Sequence, residues 1–208
     1  MQKDFDSMRE IVEKIKKEGD YQSNRPEDFL NKEDIEKMIK SVERVRDKAF
    51  IALLWETGAR IGELRDLRVG DFEDWDEGKI VNIDGYTGSR ELPIFESVSY
   101  LEDWISKHPD REDPESPLWL RTEEESGTER RISYNYMREM IKKASDAVEL
   151  DKPVDFAHFR RSRVALLSEK LNDAQIRQWF GWKDESDFTG IREGCENCSG
   201  CPFRCTMG

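Results

Sequence analysis

The sequence predicts a mostly helical α+β domain that carries one small β-hairpin. Apolar residues recur at helical spacing in most segments of the 208-residue chain. One stretch, residues 79–94, has the alternating pattern of strands on either side of a turn. Because helices both precede and follow this hairpin, the order of elements excludes a doubly wound parallel sheet.

The helices before the hairpin have recognisable boundaries. Asn31 is a candidate N-cap for a helix with apolar residues at i, i+3, i+4 and i+7. The run AFIALLW, between Asp47 and Glu56, is apolar on nearly every side and predicts a buried central helix. Gly58 ends that helix, and the segment RIGELRDL resumes with helical spacing.

Further helices are expected toward both ends of the chain. Their predicted ranges are 5–17, a segment from Tyr100 to the stop at His108-Pro109, 133–149, 159–170 and 173–180. An acidic loop region lies between the second and third of these. We divide the chain into a polar N-terminal segment (1–29), a main domain (30–192) and a cysteine-rich tail (193–208).

The composition predicts a cytoplasmic protein that does not associate with membranes. No run approaches the roughly eighteen apolar residues of a membrane helix, and the start MQKDFDSMRE lacks the apolar core of a signal peptide. The 34 Lys and Arg residues are outnumbered by 46 Asp and Glu, which gives a net charge of −12. Such acidity argues against a nucleic-acid binder, although local placement of charge can override the total.

Two segments concentrate groups that could bind an anion. In TGARIGEL, Arg60 stands at the start of a helix beside free backbone N–H groups, a position that suits a phosphate. The alternative is a surface ion pair of Arg60 with Glu56 or Glu63. In HFRRSR, Arg160 and Arg163 are three residues apart and share a helix face. The alternative there is a solvated basic face.

Three segments in order resemble the tyrosine recombinases of the phage integrase family. TGARIGEL followed by RDLRVGDF resembles the first arginine box, and FRRSRVALL resembles the second. Gly181-Trp182 resembles the later box that reads Gly-His or Gly-Trp. The resemblance covers roughly residues 30–192. Among family members, the archaeal-type proteins resemble this sequence most. It implies the fold of a tyrosine-recombinase catalytic domain.

The resemblance also implies a chemistry, DNA strand exchange through a covalent phosphotyrosine, which needs no metal cofactor. Two arginines hold the scissile phosphate, a lysine protonates the leaving 5′ oxygen and a histidine assists. Arg60 and Arg160 take the arginine places, with Arg163 as a further phosphate ligand, and Trp182 takes the His-or-Trp place.

The histidine place leaves two registers open. Ala157 occupies the family's histidine position, and His158, the nearest candidate, follows one residue later. A register shifted by one would make His158 the family histidine and Arg161 the second arginine. We prefer the first register, in which Phe159 fills the apolar position between them.

Two family roles are not filled. The hairpin turn reads Gly85-Tyr86-Thr87-Gly88, with Tyr86 at the lysine place. The nucleophilic tyrosine is expected near residues 191–192, where Ile and Arg stand, and no tyrosine follows Trp182 in this sequence.

The sequence therefore predicts a double-stranded-DNA-binding member of the family that is catalytically impaired, with a full-length recombinase or further copies of itself as partners on DNA. One alternative is an active subunit that uses a tyrosine donated in trans. Another is an interaction scaffold with a metal tail that binds no DNA. Only about 29 residues precede the main domain, whereas family members carry an N-terminal DNA-clamping domain, so reduced affinity for DNA is expected.

All four cysteines lie in the last fourteen residues, with the spacing C-x2-C-x2-C-x3-C. Four thiolates this close can surround one Zn²⁺ ion. An iron–sulfur cluster is the alternative, although its usual proline follows the fourth cysteine, whereas Pro202 follows the third. The predicted metal ligands are Cys195, Cys198, Cys201 and Cys205.

Overall fold

The structure, a computed structural model, describes residues 10–11, 29–76, 78–122 and 130–183. Its helices are α1 (Lys32–Ser41), α2 (Val45–Thr57), α3 (Ile61–Arg65), α4 (Val98–Ser106), α5 (Tyr134–Ala147), α6 (Phe156–Ser168) and α7 (Asp173–Phe180). Its strands are β1 (Phe72–Trp75), β2 (Gly78–Gly85) and β3 (Gly88–Ile94). The predicted helical α+β class is confirmed. Within the described ranges, no helix is both long and apolar enough to cross a bilayer.

Helix α1 begins where its sequence predicts. The Asn31 side chain accepts the backbone N–H of Asp34, and the Asp34 carboxylate accepts the N–H of Asn31, each at 3.0 Å. This reciprocal capping satisfies two N–H groups that the first helical turn leaves without helix partners. Of the helix predicted over residues 5–17, the described residues 10–11 are helical and the rest lies outside the described part.

Helix α2 is the centre of the domain, as its apolar sequence predicts. It packs against α1, α4 and α6. Its side chains are buried from Ala49 to Thr57. Because neighbours surround this helix, residues at both of its ends are placed by the whole core rather than by local structure.

The sheet has three antiparallel strands in the order β1-β2-β3, one more than the predicted hairpin. Strands β2 and β3 form that hairpin, with Gly85 paired to Gly88 at the turn. Strand β1 is the four-residue segment FEDW, paired from Phe72 opposite Val81. Its two central residues are acidic and exposed. The segment therefore lacks the β-branched alternation by which strands are recognised in a sequence.

The C-terminal end of α2 is held by side chains from α6 and α7. Helix ends leave carbonyls without helical partners. Here the Glu56 carbonyl accepts Nε of Arg163 at 3.0 Å, and the Thr57 carbonyl accepts Nε1 of Trp179 at 3.0 Å. The Gly58 carbonyl accepts Nη1 of Arg160 at 2.9 Å. The segment that leads into Arg60 is therefore fixed in place.

Replacing Gly58 with alanine is expected to destabilise the domain by at least about 1–2 kcal/mol. Gly58 has φ of +57°, and a Cβ there would lie 2.7 Å from Cε1 of Phe180. Gly62, in α3, is the matched control, because a Cβ there meets nothing within 4 Å. Gly62→Ala is expected to be neutral or to stabilise by up to about 1 kcal/mol. Urea denaturation of both variants checks the contrast, and equal effects would contradict it.

Candidate functional site

A cleft of about 680 Å³ lies where the start of α3 faces α5 and α6. Arg60 and Arg160 both line it, although they are one hundred residues apart in sequence. Arg60 is the N-cap residue of α3, and Arg160 projects from the first half of α6. The turn at Gly58 therefore brings the two arginine-rich segments to one site.

The cleft is locally basic in an acidic chain. Four cationic side chains and one carboxylate line it, together with apolar and aromatic groups. The charged residues are Arg60, Arg138, Lys142, Arg160 and Asp155. Asp155 is the N-cap of α6, where its carboxylate accepts the N–H of His158 at 2.7 Å. Cations concentrated between low-dielectric walls create a local positive potential that attracts an anion even when the net charge of the molecule is negative.

Glu63 is hydrogen-bonded to both the backbone and the side chain of Arg60. The Glu63 carboxylate accepts the backbone N–H of Arg60 at 2.9 Å and Nη1 of the same residue at 3.3 Å. It also accepts Nη2 of Arg90, from β3, at 2.7 Å. Burial raises the pKa of Glu63, but the hydrogen bond and charge of Arg90, with the N–H of Arg60, outweigh it and hold the pKa below its ordinary value.

Arg160 is held by backbone carbonyls and aromatic rings. Its Nη2 donates to the Phe180 carbonyl at 2.9 Å, in addition to the bond from Nη1 to Gly58. Its Cζ lies 4.9 Å from the Phe180 ring centroid and 5.6 Å from that of Trp182. The two rings stack on each other at 5.3 Å. Cation–π contact and fixed carbonyls pre-organise this guanidinium.

The comparisons with known proteins identify the family of this chain. The sequence profile described as the phage integrase family matches residues 28–189. The chain belongs to the phage integrase family. A tyrosine recombinase of Synechococcus elongatus is 31% identical over 122 residues, which cover 57% of this chain and 37% of that protein.

Solved structures share the integrase fold. A XerH site-specific recombinase bound to its difH substrate superposes with a TM-score of 0.62 at 19% identity, over 79% of this chain and 50% of that chain. A lambda integrase dimer bound to a COC′ core site gives 0.61 at 13% identity, over 86% and 51%. The chain thus spans about a third to a half of these relatives. The archaeal-type subdivision stays a prediction.

The second integrase box is divided between two faces of α6. Ser162 accepts the backbone N–H of Leu30 at 3.0 Å, and the buried His158 ring lies 6.0 Å from the ring of Phe29. His158 therefore faces the N-terminal segment and does not line the cleft, contrary to the sequence-based expectation. The reason is helical geometry, since each residue turns the helix by about 100° and two steps carry His158 away from Arg160.

The preferred register agrees with the cleft. Ala157, at the family's histidine place, lines the cleft with Arg160. Arg161 is not among the cleft residues, and its Nη2 lies 3.3 Å from Nδ1 of His158. Trp182 is buried and contacts Arg160 without lining the cleft. The Trp182 ring also stacks on that of Phe180, so both rings lie against the guanidinium of Arg160.

Arg163 does not fit its expected role as a phosphate ligand. Its side chain is buried, its Nε donates to the Glu56 carbonyl, and its Cζ lies 5.6 Å from the Trp55 ring centroid. Spacing of three residues places Arg163 near the side of Arg160, but the core encloses its guanidinium. We therefore assign Arg163 to the support of α2.

The described tyrosines occupy four different environments. Tyr86, at the family's lysine place, is fully exposed at the tip of the β2–β3 hairpin. Tyr100 faces a separate groove. The Tyr136 hydroxyl donates to Asp47 at 2.8 Å, and burial, together with the Asp47 charge, raises the pKa of Tyr136. Tyr134 is 44% exposed and lines the cleft.

Sequence reasoning missed the cleft residues of α5 and the partner of Glu63. Tyr134, Arg138 and Lys142 are spaced by four residues, which places them on one helix face, so the signal was available. Nothing local in the sequence links Arg90 to Glu63. The four predicted cysteine ligands lie outside the described residues, and the described ranges contain no metal-type cluster of His, Cys, Asp or Glu.

Proposed function

We propose that this chain binds double-stranded DNA by holding a backbone phosphate between Arg60 and Arg160, and that it does not cleave DNA on its own. The observation that carries the proposal is the meeting of these two arginines in one basic cleft. Guanidinium groups are suited to this task because their planar donors match phosphate oxygens in pairs. Arg138 and Lys142 would extend the contact along the backbone.

The named relatives support DNA as the partner. The XerH structure is a complex with the difH substrate, and the lambda integrase structure is a dimer on a core site. We extend to this chain both double-stranded DNA and assembly with further recombinase subunits. The local excess of cations in the cleft offsets the objection raised by the net charge of −12.

The proposal of impaired catalysis rests on two vacant roles. The family's lysine place holds Tyr86, and a neutral phenol lacks the positive charge with which an ammonium group stabilises the negative charge that develops on a leaving oxygen. The place expected for the nucleophilic tyrosine, near residues 191–192, holds Ile and Arg. Phosphate binding requires neither group, because Arg60 and Arg160, which we call the clamp arginines, are separate from both.

Weak, salt-sensitive and largely sequence-independent DNA binding is expected. Arg60→Ala and Arg138→Ala are each expected to weaken binding by about tenfold at low salt, the lower end for a charge-assisted hydrogen bond. Each should also reduce the slope of log affinity against log salt by about one. Fluorescence-anisotropy titrations of a labelled duplex at several salt concentrations measure both quantities.

Arg111→Ala is the matched control for this titration. Arg111 is exposed, lies outside the cleft and pairs with Glu112. It should leave both affinity and salt slope unchanged. Absence of binding by the wild-type chain at low salt would favour the scaffold alternative, in which the fold binds no DNA. An equal loss in all three variants would indicate non-specific attraction.

We also propose that Cys195, Cys198, Cys201 and Cys205 bind one metal ion, with Zn²⁺ preferred over an iron–sulfur cluster. Thiolate ligands persist in a reducing compartment, which agrees with the proposed cytoplasmic location. Elemental analysis of protein purified without added metal is expected to find one zinc per chain. Replacing all four cysteines with serine should abolish it while leaving the urea midpoint unchanged. Iron with a visible absorption band would reverse the choice of ion.

A further inference from the structure

We propose that Arg90 keeps Arg60 available for phosphate by sharing the Glu63 carboxylate, and that Arg90 is a positioning residue of the clamp. This inference rests on the proposed function, in which Arg60 holds a DNA phosphate. Arg90 does not line the cleft. It therefore acts through Glu63 rather than by contact with the ligand.

The Arg90–Glu63 pair is bidentate and buried. Nη2 of Arg90 donates to Oε2 of Glu63 at 2.7 Å, and Nη1 donates to Oε1 at 3.3 Å. The two side chains are 7% and 6% exposed, whereas that of Arg60 is 41% exposed. Charges removed from water are screened less. Glu63 is therefore bound more strongly to Arg90 than to Arg60, its partner at 3.3 Å.

The balance of charge among Arg60, Glu63 and Arg90 determines whether Arg60 can bind a phosphate. The Glu63 carboxylate is hydrogen-bonded to two guanidinium groups, those of Arg60 and Arg90, so this group of three carries one positive charge in excess. Because Arg90 is buried and bonded to Glu63, the excess positive charge is exposed on Arg60, at the cleft. Without the charge of Arg90, the Glu63 carboxylate would have Arg60 as its ion-pair partner. The positive charge of Arg60 would then be neutralised where the phosphate must bind.

The β2–β3 hairpin is built around the same pair. A Cβ on Gly85 would lie 2.5 Å from Oε1 of Glu63, so the hairpin backbone packs directly on the carboxylate. Nε of Arg90 donates to the Trp179 carbonyl at 3.0 Å, and Thr87 Oγ1 donates to the Gly181 carbonyl at 2.6 Å. The guanidinium of Arg90 thus joins β3, α3 and the end of α7 at one point.

The test is a charge-neutralisation series measured by DNA-binding titration. Arg90→Gln should weaken binding by about tenfold, because Glu63 then neutralises Arg60. Adding Glu63→Gln to that variant should restore affinity to within about threefold of wild type, since a neutral amide leaves Arg60 charged. Glu63→Gln alone should bind more tightly than wild type, because it removes the carboxylate that offsets the charge of Arg60. A merely structural role for Arg90 gives no restoration by the second substitution.

The pH dependence of Arg90→Gln gives an independent readout. In this variant Glu63 keeps the burial that raises its pKa and loses the Arg90 bond that lowers it. The other charged groups that act on Glu63 are Arg60 and Arg160. Lowering the pH should therefore protonate Glu63 and recover binding relative to wild type, and the double variant should show no such recovery.

The outcomes separate this inference from the proposed function. Wild-type binding that depends on Arg60, with equal losses in the single and double variants, would overturn the role of Arg90 and leave the proposed function intact. Wild-type binding that does not depend on Arg60 would remove both. If Arg90→Gln does not fold, Glu63→Gln alone decides, because binding no tighter than that of wild type contradicts the charge balance.

Discussion

Replacing Glu56 with alanine is expected to destabilise the domain by about 3–5 kcal/mol. The carboxylate of this fully buried residue accepts the backbone N–H groups of Phe95, Glu96 and Ser97 and the hydroxyl of Ser97, at 2.6–3.0 Å. Alanine would leave three buried or partly buried N–H groups without an acceptor at the start of α4. Loss of this size is a large fraction of the stability of a typical domain.

Two controls distinguish hydrogen bonding from other causes. Glu96→Ala removes a neighbouring carboxylate whose partner is the exposed Lys32, and it should cost no more than about 1 kcal/mol. Glu56→Gln keeps the volume but replaces one acceptor with a donor, so an intermediate loss of roughly 2 kcal/mol is expected. Urea midpoints and slopes measure all three. A Glu56→Ala loss no larger than that of Glu96→Ala would contradict this account.

The effect of Glu56 would reach the candidate site through its own backbone. Its carbonyl accepts Nε of Arg163, and the next two carbonyls are bonded by Trp179 and Arg160. The carboxylate and the carbonyl of one residue thus fix α4 on one side and α6 on the other. Stability and the position of Arg60 are consequently coupled at the end of α2.

The elements that could be predicted from the sequence are those with local causes. The capping pair of Asn31 and Asp34 sets the start of α1, and Gly58, with its left-handed backbone, ends α2. Both signals lie within a few residues of the feature they determine. Strand β1 was missed because its residues alternate weakly and its pairing partner, β2, supplies the bonds.

The candidate site was predictable only in part, because side-chain burial depends on distant segments. The two arginine boxes predict that Arg60 and Arg160 share one site, and the cleft contains both. The face of His158 could have been derived from its two-residue offset from Arg160. The burial of Arg163 could not, since it results from packing against Trp55 and Glu56 of α2. The sharing of Glu63 by Arg90 likewise requires the folded hairpin.

No covalent complex with DNA is expected from this chain alone. A nucleophile must stand in line with the leaving 5′ oxygen and close to the clamped phosphate. Tyr86 projects into solvent from the hairpin. It stands at the place of the family's proton donor, so we expect it on the side of the leaving oxygen and not opposite it. The Tyr136 hydroxyl is bonded to Asp47 and Arg46, and Tyr100 faces a different groove.

Tyr134 is the described tyrosine that most needs a direct test. It lines the cleft beside both clamp arginines, and its ring lies 5.6 Å from that of Phe156. As the first residue of α5, it is carried by a helix anchored through Tyr136 to Asp47. That anchoring fixes the phenol at the wall of the cleft shared with Phe156, where we expect contact with the DNA backbone rather than attack on it.

A nicked suicide substrate decides the question, because cleavage releases the short end and traps any phosphotyrosine as a slowly migrating band. The purified chain is expected to give no band above that of the Arg60→Ala variant, in which the clamp is broken. A band that disappears with Tyr134→Phe, or with Tyr86→Phe, would overturn the proposal of impaired catalysis and identify the attacking phenol. A band that forms only when a second integrase-family recombinase is added would instead support a tyrosine donated in trans, since this chain would then supply the arginines and its partner the nucleophile.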